Sequence, residues 1–244
     1  MISRRAFLKA GAVVGGVLTA AAVGWGRLSA DDVALARDGR RLGALLAPAD
    51  HVAWLIQTGA VSHLAGTPGR PHDPEGQYST PYRLRGLTVR LPHGAASLRR
   101  LQQVGGWWPA DARTAVAAAL LAGGLSPNAT DAAALAQSER WLRAARPRIP
   151  GARGPSVGSV GLAWQDLDTP GFQAPAEGLL VSEWDWVILA HAPKPYLAED
   201  FIRRQVSTWR QPPAEAVALS HVPPTASFAI CRIFERVAIG SANA

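Results

Sequence analysis

Apolar positions in residues 31–244 recur mostly at three- and four-residue spacings, the signature of helices with one buried face. The first such run extends from Asp31 to Leu46 and carries Val33, Leu35, Leu42 and Leu45. Its two leading acids suit the positive end of a helix dipole. A second predicted helix begins at Pro48-Ala49-Asp50 and ends at Gly59. Proline at a helix start gives up an N–H that would be unbonded there anyway. Further helices are expected over 95–104, 109–122, 129–146 (with Asn128 or Thr130 as cap), 196–210, 213–220 and 225–238. The last places Phe228, Cys231, Phe234 and Val237 in one stripe. Residues 84–91 alternate as a strand does, and 179–190 read as a buried strand. Pro and Gly crowd 62–82 and 147–178, which predicts long loops. The pattern predicts a mainly α fold with a small β component, an α+β arrangement in a single compact domain with long Pro/Gly-rich loops. The 147–178 segment is either a linker or a lid, and it marks where a lobe boundary would fall.

The N-terminal 30 residues follow a different rule. Ser3-Arg4-Arg5-Ala6-Phe7-Leu8-Lys9 precedes an uncharged Ala- and Gly-rich run from Ala10 to Trp25. That run has 16 residues, short of the roughly 20 a spanning helix needs. The opening resembles the twin-arginine export signal, whose pattern is Ser/Thr-Arg-Arg-any-Phe-Leu-Lys. The resemblance covers this leader alone and rests on Arg4, Arg5, Phe7, Leu8 and Lys9. It implies a chain folded before export, a transient encounter with the twin-arginine translocase, and a periplasmic or exported destination. Ala20-Ala21-Ala22 offers a cleavage site and Ser29-Ala30 a poorer one. Left uncut, the leader would be an anchor, and the chain's only membrane contact.

Separating the leader changes the charge balance. The whole chain carries +7, of which Arg4, Arg5, Lys9 and Arg27 supply four, leaving 21 basic against 18 acidic residues. The basic clusters of the remainder, such as Arg99-Arg100 and Arg203-Arg204, fall on predicted helices among acids. No basic stripe marks a nucleic-acid partner. Cys231 is the single cysteine, which excludes an intrachain disulfide, a cysteine-ligated iron–sulfur cluster and a Cys-rich zinc site. The P-loop, the dinucleotide-binding glycine motif and the G-x-S-x-G elbow are absent from the sequence, so no motif assigns a cofactor.

Four groups of residues could carry chemistry. Glu183 and Asp185 share one face of the predicted strand about 7 Å apart, a separation at which two carboxyls can act as acid and base. Trp184 and Trp186 then take the other face, so a strand with tryptophans in the core and acids toward solvent or arginine is the plainer account. His63, His72, Asp73 and Glu75 in the 62–82 loop are of metal-ligand type, although such polar loops are usually only solvated. His221 and Cys231 could form a nucleophilic pair if they met within hydrogen-bond reach; in its apolar stripe, Cys231 equally reads as a small buried hydrophobe. Trp107-Trp108 is either a partner anchor or a packing staple.

These observations make a non-catalytic small subunit or assembly partner of a periplasmic oxidoreductase the leading expectation. It follows from the leader's implied company of redox cargo, the missing cofactor motifs and the nine tryptophans. A larger exported redox subunit would be its partner. One alternative is a periplasmic hydrolase acting on cell-wall or carbohydrate material through Glu183, Asp185 or His221–Cys231. Another is an envelope solute-binding or interaction protein.

Overall fold

The computed structural model describes residues 30–109, 111–148, 160–205, 207 and 209–242. The leader and its signal residues Arg4, Arg5, Phe7, Leu8 and Lys9 lie outside them. Helices and strands are mixed along the chain, as an α+β reading requires. In order they are α1 (Ala30–Leu42), β1 (Ala44–Pro48), α2 (Ala49–Gln57), β2 (Val61–Ser62), β3 (Ser79–Arg90), α3 (Leu98–Val104) and α4 (Ala112–Ala122). Then follow α5 (Ala132–Ala145), β4 (Gly161–Asp166), β5 (Leu180–Leu189), α6 (Pro195–Arg203), β6 (Val217–Ala218) and α7 (Pro224–Ala242). They group into two compact units. Of the described residues, one unit holds those up to Tyr82 together with those of Trp184–Ser207; the other holds those of Arg83–Glu183 and those from Trp209 onward. The chain therefore passes from one unit to the other within β3, within β5 and after Ser207.

The first unit is built on β1 and β5, which pair antiparallel from Ala44↔Ile188 to Pro48↔Trp184. Both faces of β1 are buried. Ala44 and Leu46 pack with Trp184, Trp186 and Ile188 under Ala36 of α1 and Ala198 and Ile202 of α6. Leu45 and Ala47 pack with Val187 against Val52 and Leu55 of α2. Trp186 meets Tyr82 and Phe201 edge-on, with centroids 5.8 and 5.5 Å away. The predicted helix from Asp31 to Leu46 thus ends early. Gly43 takes φ 92°, a conformation that terminates helices and favours glycine. The apolar run behind it joins the sheet.

The second unit centres on α4, buried at all eleven positions. Its sequence, Ala-Arg-Thr-Ala-Val-Ala-Ala-Ala-Leu-Leu-Ala, has no polar stripe beyond its first turn, which is the composition of a helix packed on every side. It lies in one core with residues of α3, α5 and α7 and the strand residues Leu87, Val89, Leu162, Trp164 and Leu180. Asp111 caps it, accepting from the Arg113 N–H at 3.1 Å. Asp111 also accepts from the Thr114 hydroxyl, which in turn accepts from Trp164 Nε1 at 3.2 Å. β3 and β4 pair antiparallel, with Arg85 opposite Asp166. Trp108 is buried against Trp141 at 5.6 Å, and the Trp107 backbone bonds Val160 and Leu162. Of the two readings of this pair, Trp108 fits the packing staple.

Other local expectations change: within the 147–178 segment Gly161–Asp166 forms β4, and the helix expected over 196–210 ends at Arg203. Residues 213–220 form no helix: after Pro212-Pro213, the N–H groups of Val217 and Leu219 bond the carbonyls of Leu179 and Val181, making β6 a parallel neighbour of β5. The cap of α5 is Asp131, whose carboxylate accepts from Ala134 N–H at 2.9 Å, rather than Asn128 or Thr130. Among the described residues no helix is long and apolar enough to cross a membrane.

Candidate functional site

The 62–82 loop is more ordered than its Pro/Gly content suggests. Its stem is laced by Leu64 N–H to the Gln77 carbonyl and Gly66 N–H to the Gly76 carbonyl, both 2.7 Å. Gly66 is needed because a Cβ there would fall into the Ser79 carbonyl oxygen. Gly76 has φ 65° and lies against the Pro68 backbone. Asp73 holds the turn from inside: its carboxylate accepts the N–H groups of Gln77, Tyr78 and Ser79 at 3.0, 2.9 and 2.8 Å, and the Ser79 hydroxyl at 3.0 Å. Burial alone would raise its pKa; these four donors outweigh burial and hold it below the usual carboxylate value.

This loop delivers two side chains to β5. Arg70 Nη1 donates to Asp185 Oδ1, and His72 Nε2 lies 2.5 Å from Asp185 Oδ2. The three side chains are 4%, 8% and 0% exposed. Asp185 sits opposite Ala47 in the β1–β5 register and so shares the face of Leu45 and Val187. A carboxylate on that apolar face is tolerable only if paired. The structure therefore joins one residue of the expected acid pair directly to one of the expected metal set, and adds Arg70, which no sequence motif marked. Its partner Glu183 belongs to the other unit and accepts from Trp209 Nε1 at 3.3 Å.

The remaining candidates are dispersed. His63 meets the Tyr78 ring edge at 6.4 Å, and Glu75 is exposed and accepts from Gln77 Nε2 at 2.5 Å. Among the described residues no three His, Cys, Asp or Glu side chains gather as a metal site requires. Cys231 is half-buried beside the core of the second unit. Burial first, then the charges of Glu235 and Asp111, push its thiol pKa up, the reverse of what activates a nucleophile. His221 is half-buried on the stretch between β6 and α7.

The second unit also holds a solvent-open cleft of about 220 Å³, lined by Leu84, Asp166, Leu167, Asp168, Thr169 and Arg210. Two consecutive turns shape its wall, Thr169 N–H to the Asp166 carbonyl and Phe172 N–H to the Thr169 carbonyl. The wall rests on β3 at Gly86, where a Cβ would stand 2.5 Å from Leu167 and 2.6 Å from Phe172. The Thr88 hydroxyl donates to the Gln173 carbonyl at 2.9 Å and secures its far end. Arg85 Nε and Arg83 Nη1 approach Asp166 at 3.3 and 3.7 Å, and Arg210 Nη2 pairs with Asp168 at 2.6 Å. Only a faint sign of this cleft is legible in the sequence: Arg83 and Arg85 alternating on a strand, and Asp166-Leu167-Asp168 at the end of another.

No protein-family model and no curated protein matches the sequence. Solved structures do match the fold. A putative spermidine/putrescine ABC transporter protein of Listeria monocytogenes is 11% identical with TM-score 0.63, over 80% of this chain and 83% of that one. The lipoprotein Tp0655 of Treponema pallidum is 15% identical with TM-score 0.60, over 81% and 84%. The spermidine/putrescine substrate-binding protein of Streptococcus pneumoniae is 11% identical with TM-score 0.57, over 82% and 84%. The chain shares their fold. At these identities the likeness concerns the path of the backbone.

Proposed function

We propose that this chain is an exported solute-binding protein that serves an ABC importer in the bacterial envelope. The observation that carries the reading is the fold match, which spans four-fifths of this chain and of the two spermidine/putrescine ABC transporter proteins it resembles. It favours the solute-binding alternative over the redox-subunit expectation. The partner on this reading is the membrane component of the importer.

The Arg4-Arg5 leader supports export in the folded state. A chain with one cysteine gains nothing from oxidative folding outside the cytoplasm, which is consistent with that route. The test pairs two measurements. Thermal unfolding of the purified protein against a library of polyamines, amino acids, sugars, vitamins and inorganic ions should reveal at least one stabilising solute, because ligand that binds only the folded state raises the midpoint. Replacing Arg4 and Arg5 by lysine should leave the protein in the cytoplasm. A library without a single stabiliser would sink the solute-binding reading, and unchanged export of the lysine variant would sink the twin-arginine one.

A further inference from the structure

Resting on the solute-binding reading, we infer that the cleft beside β3 and β4 is a binding site, and that its solute is a small zwitterion of the α-amino-acid type. The inference starts from charge. Asp166 is backed by Arg83 and Arg85, and Asp168 is closed by Arg210. Each carboxylate of the cleft already has a guanidinium, and guanidinium does not lose its proton in proteins. A polyamine would bring two or more positive charges to a place where the five ionised groups sum to +1. It would meet no uncompensated anion.

A zwitterion meets a different situation. Arg210 and Asp168 are 71% and 58% exposed, and an ion pair that open to solvent is worth about 0–1 kcal/mol. Opening it frees one cation and one anion on the same wall. The solute's carboxylate replaces Asp168 on Arg210, where the planar fork suits it, and the solute's ammonium replaces Arg210 on Asp168. Charge is conserved and no group is left unpaired. The more enclosed Arg83–Asp166–Arg85 cluster keeps the wall fixed during the exchange. Leu84 and Leu167 receive an apolar side chain, and the Thr169 hydroxyl can serve either end. A volume of about 220 Å³ is below the size of most drug-like sites, which suits a small amino acid.

The experiment is isothermal titration of the full exported protein with L-valine, L-leucine, putrescine, spermidine and sodium acetate, repeated on Arg210→Gln and Asp168→Asn. Both substituted residues are exposed and outside the cores, so the variants fold, which circular dichroism checks. The expected result is binding of an amino acid, no binding of either polyamine, and at least a tenfold weaker affinity in each variant. Polyamine binding without amino-acid binding would overturn this inference and leave the solute-binding reading standing. Amino-acid binding unchanged in both variants would place the site elsewhere and likewise overturn it. Binding of acetate as tightly as of the amino acids would remove the role of Asp168. Silence toward these probes, together with silence toward the wider library, would end both readings.

Discussion

Replacing Asp185 by alanine is the sharpest perturbation of the first unit. The carboxylate is wholly buried and shared by Arg70, 4% exposed, and His72. Removing one member of a buried ion pair costs about 3–5 kcal/mol, because the surviving charge keeps its desolvation penalty without its counter-ion. Arg70 keeps its charge whatever happens to its partner, because guanidinium is not deprotonated in proteins. For a domain of this size 1 kcal/mol corresponds to about 2–4 °C, so the midpoint should fall by about 6–20 °C. His72→Ala leaves the Arg70–Asp185 pair intact and should cost less, about 1.5–3 kcal/mol for a charge-assisted hydrogen bond. The double variant Arg70→Met/Asp185→Leu, which removes both charges, should recover most of the loss. Guanidinium titrations followed by tryptophan fluorescence, with Trp184 and Trp186 flanking the site in sequence, give each value and the coupling between positions 70 and 185. An Asp185→Ala loss below about 1 kcal/mol, or strictly additive single losses, would refute the claim that the pair holds the loop to β5.

Three further outcomes follow from the same geometry. Glu139 of α5 accepts from Arg236 of α7 and Arg143, and these bonds, led by Arg236, outweigh its burial and lower its pKa from 4.5 to about 2. A carboxyl depressed on folding stabilises the protein above its unfolded pKa and loses that contribution as pH falls. Glu139→Gln should therefore flatten the decline in stability between about pH 4.5 and 2, read from denaturation at stepped pH. Cys231, with its raised thiol pKa, should react with iodoacetamide at pH 8 more slowly in the native protein than in the unfolded one; an equal rate contradicts the burial argument. Gly66→Ala, which drives a Cβ into the Ser79 carbonyl, should cost at least about 1–3 kcal/mol by overpacking, measured in the same titrations.

Local pattern carried much of the architecture and little of the site. The helices α2, α4, α5 and α7 and the strand β5 were legible because each is long, periodic or uniformly apolar, and α2 also opens on Pro48; for α5 the body was legible while its cap, Asp131, was not. Short elements were decided elsewhere. Ala44–Pro48 repeats the apolar character of the helix before it, and only the partner strand 140 residues later makes it β; Val217–Ala218 is a strand solely because Leu179 and Val181 offer it carbonyls. The ion cluster was hidden for the same reason. Asp185 looked like a partner for Glu183, two residues away, but its carboxylate is committed to Arg70 across 115 positions. Alternation placed both acids on one face and said nothing of what lay over it. The likeness to solved structures was invisible altogether, since at 11–15% identity it lies in the path of the backbone.

The passage of the chain between its units sets an order of events during synthesis. Residues 83–183 belong to the second unit, so the ribosome must finish most of that unit before it returns to the first. At roughly 5–20 residues per second, Arg70 and His72 emerge about 6–23 s before Asp185 exists to receive them. Through that interval β1, apolar on both sides, has neither its strand partner nor Trp184 and Trp186 to cover it. The nascent chain thus carries an unfinished sheet edge for most of its translation, and the first unit can close only after Ser207 has been made. Any cytoplasmic factor that shields this chain should engage it in that window, and should let go when the last segment of the first unit arrives.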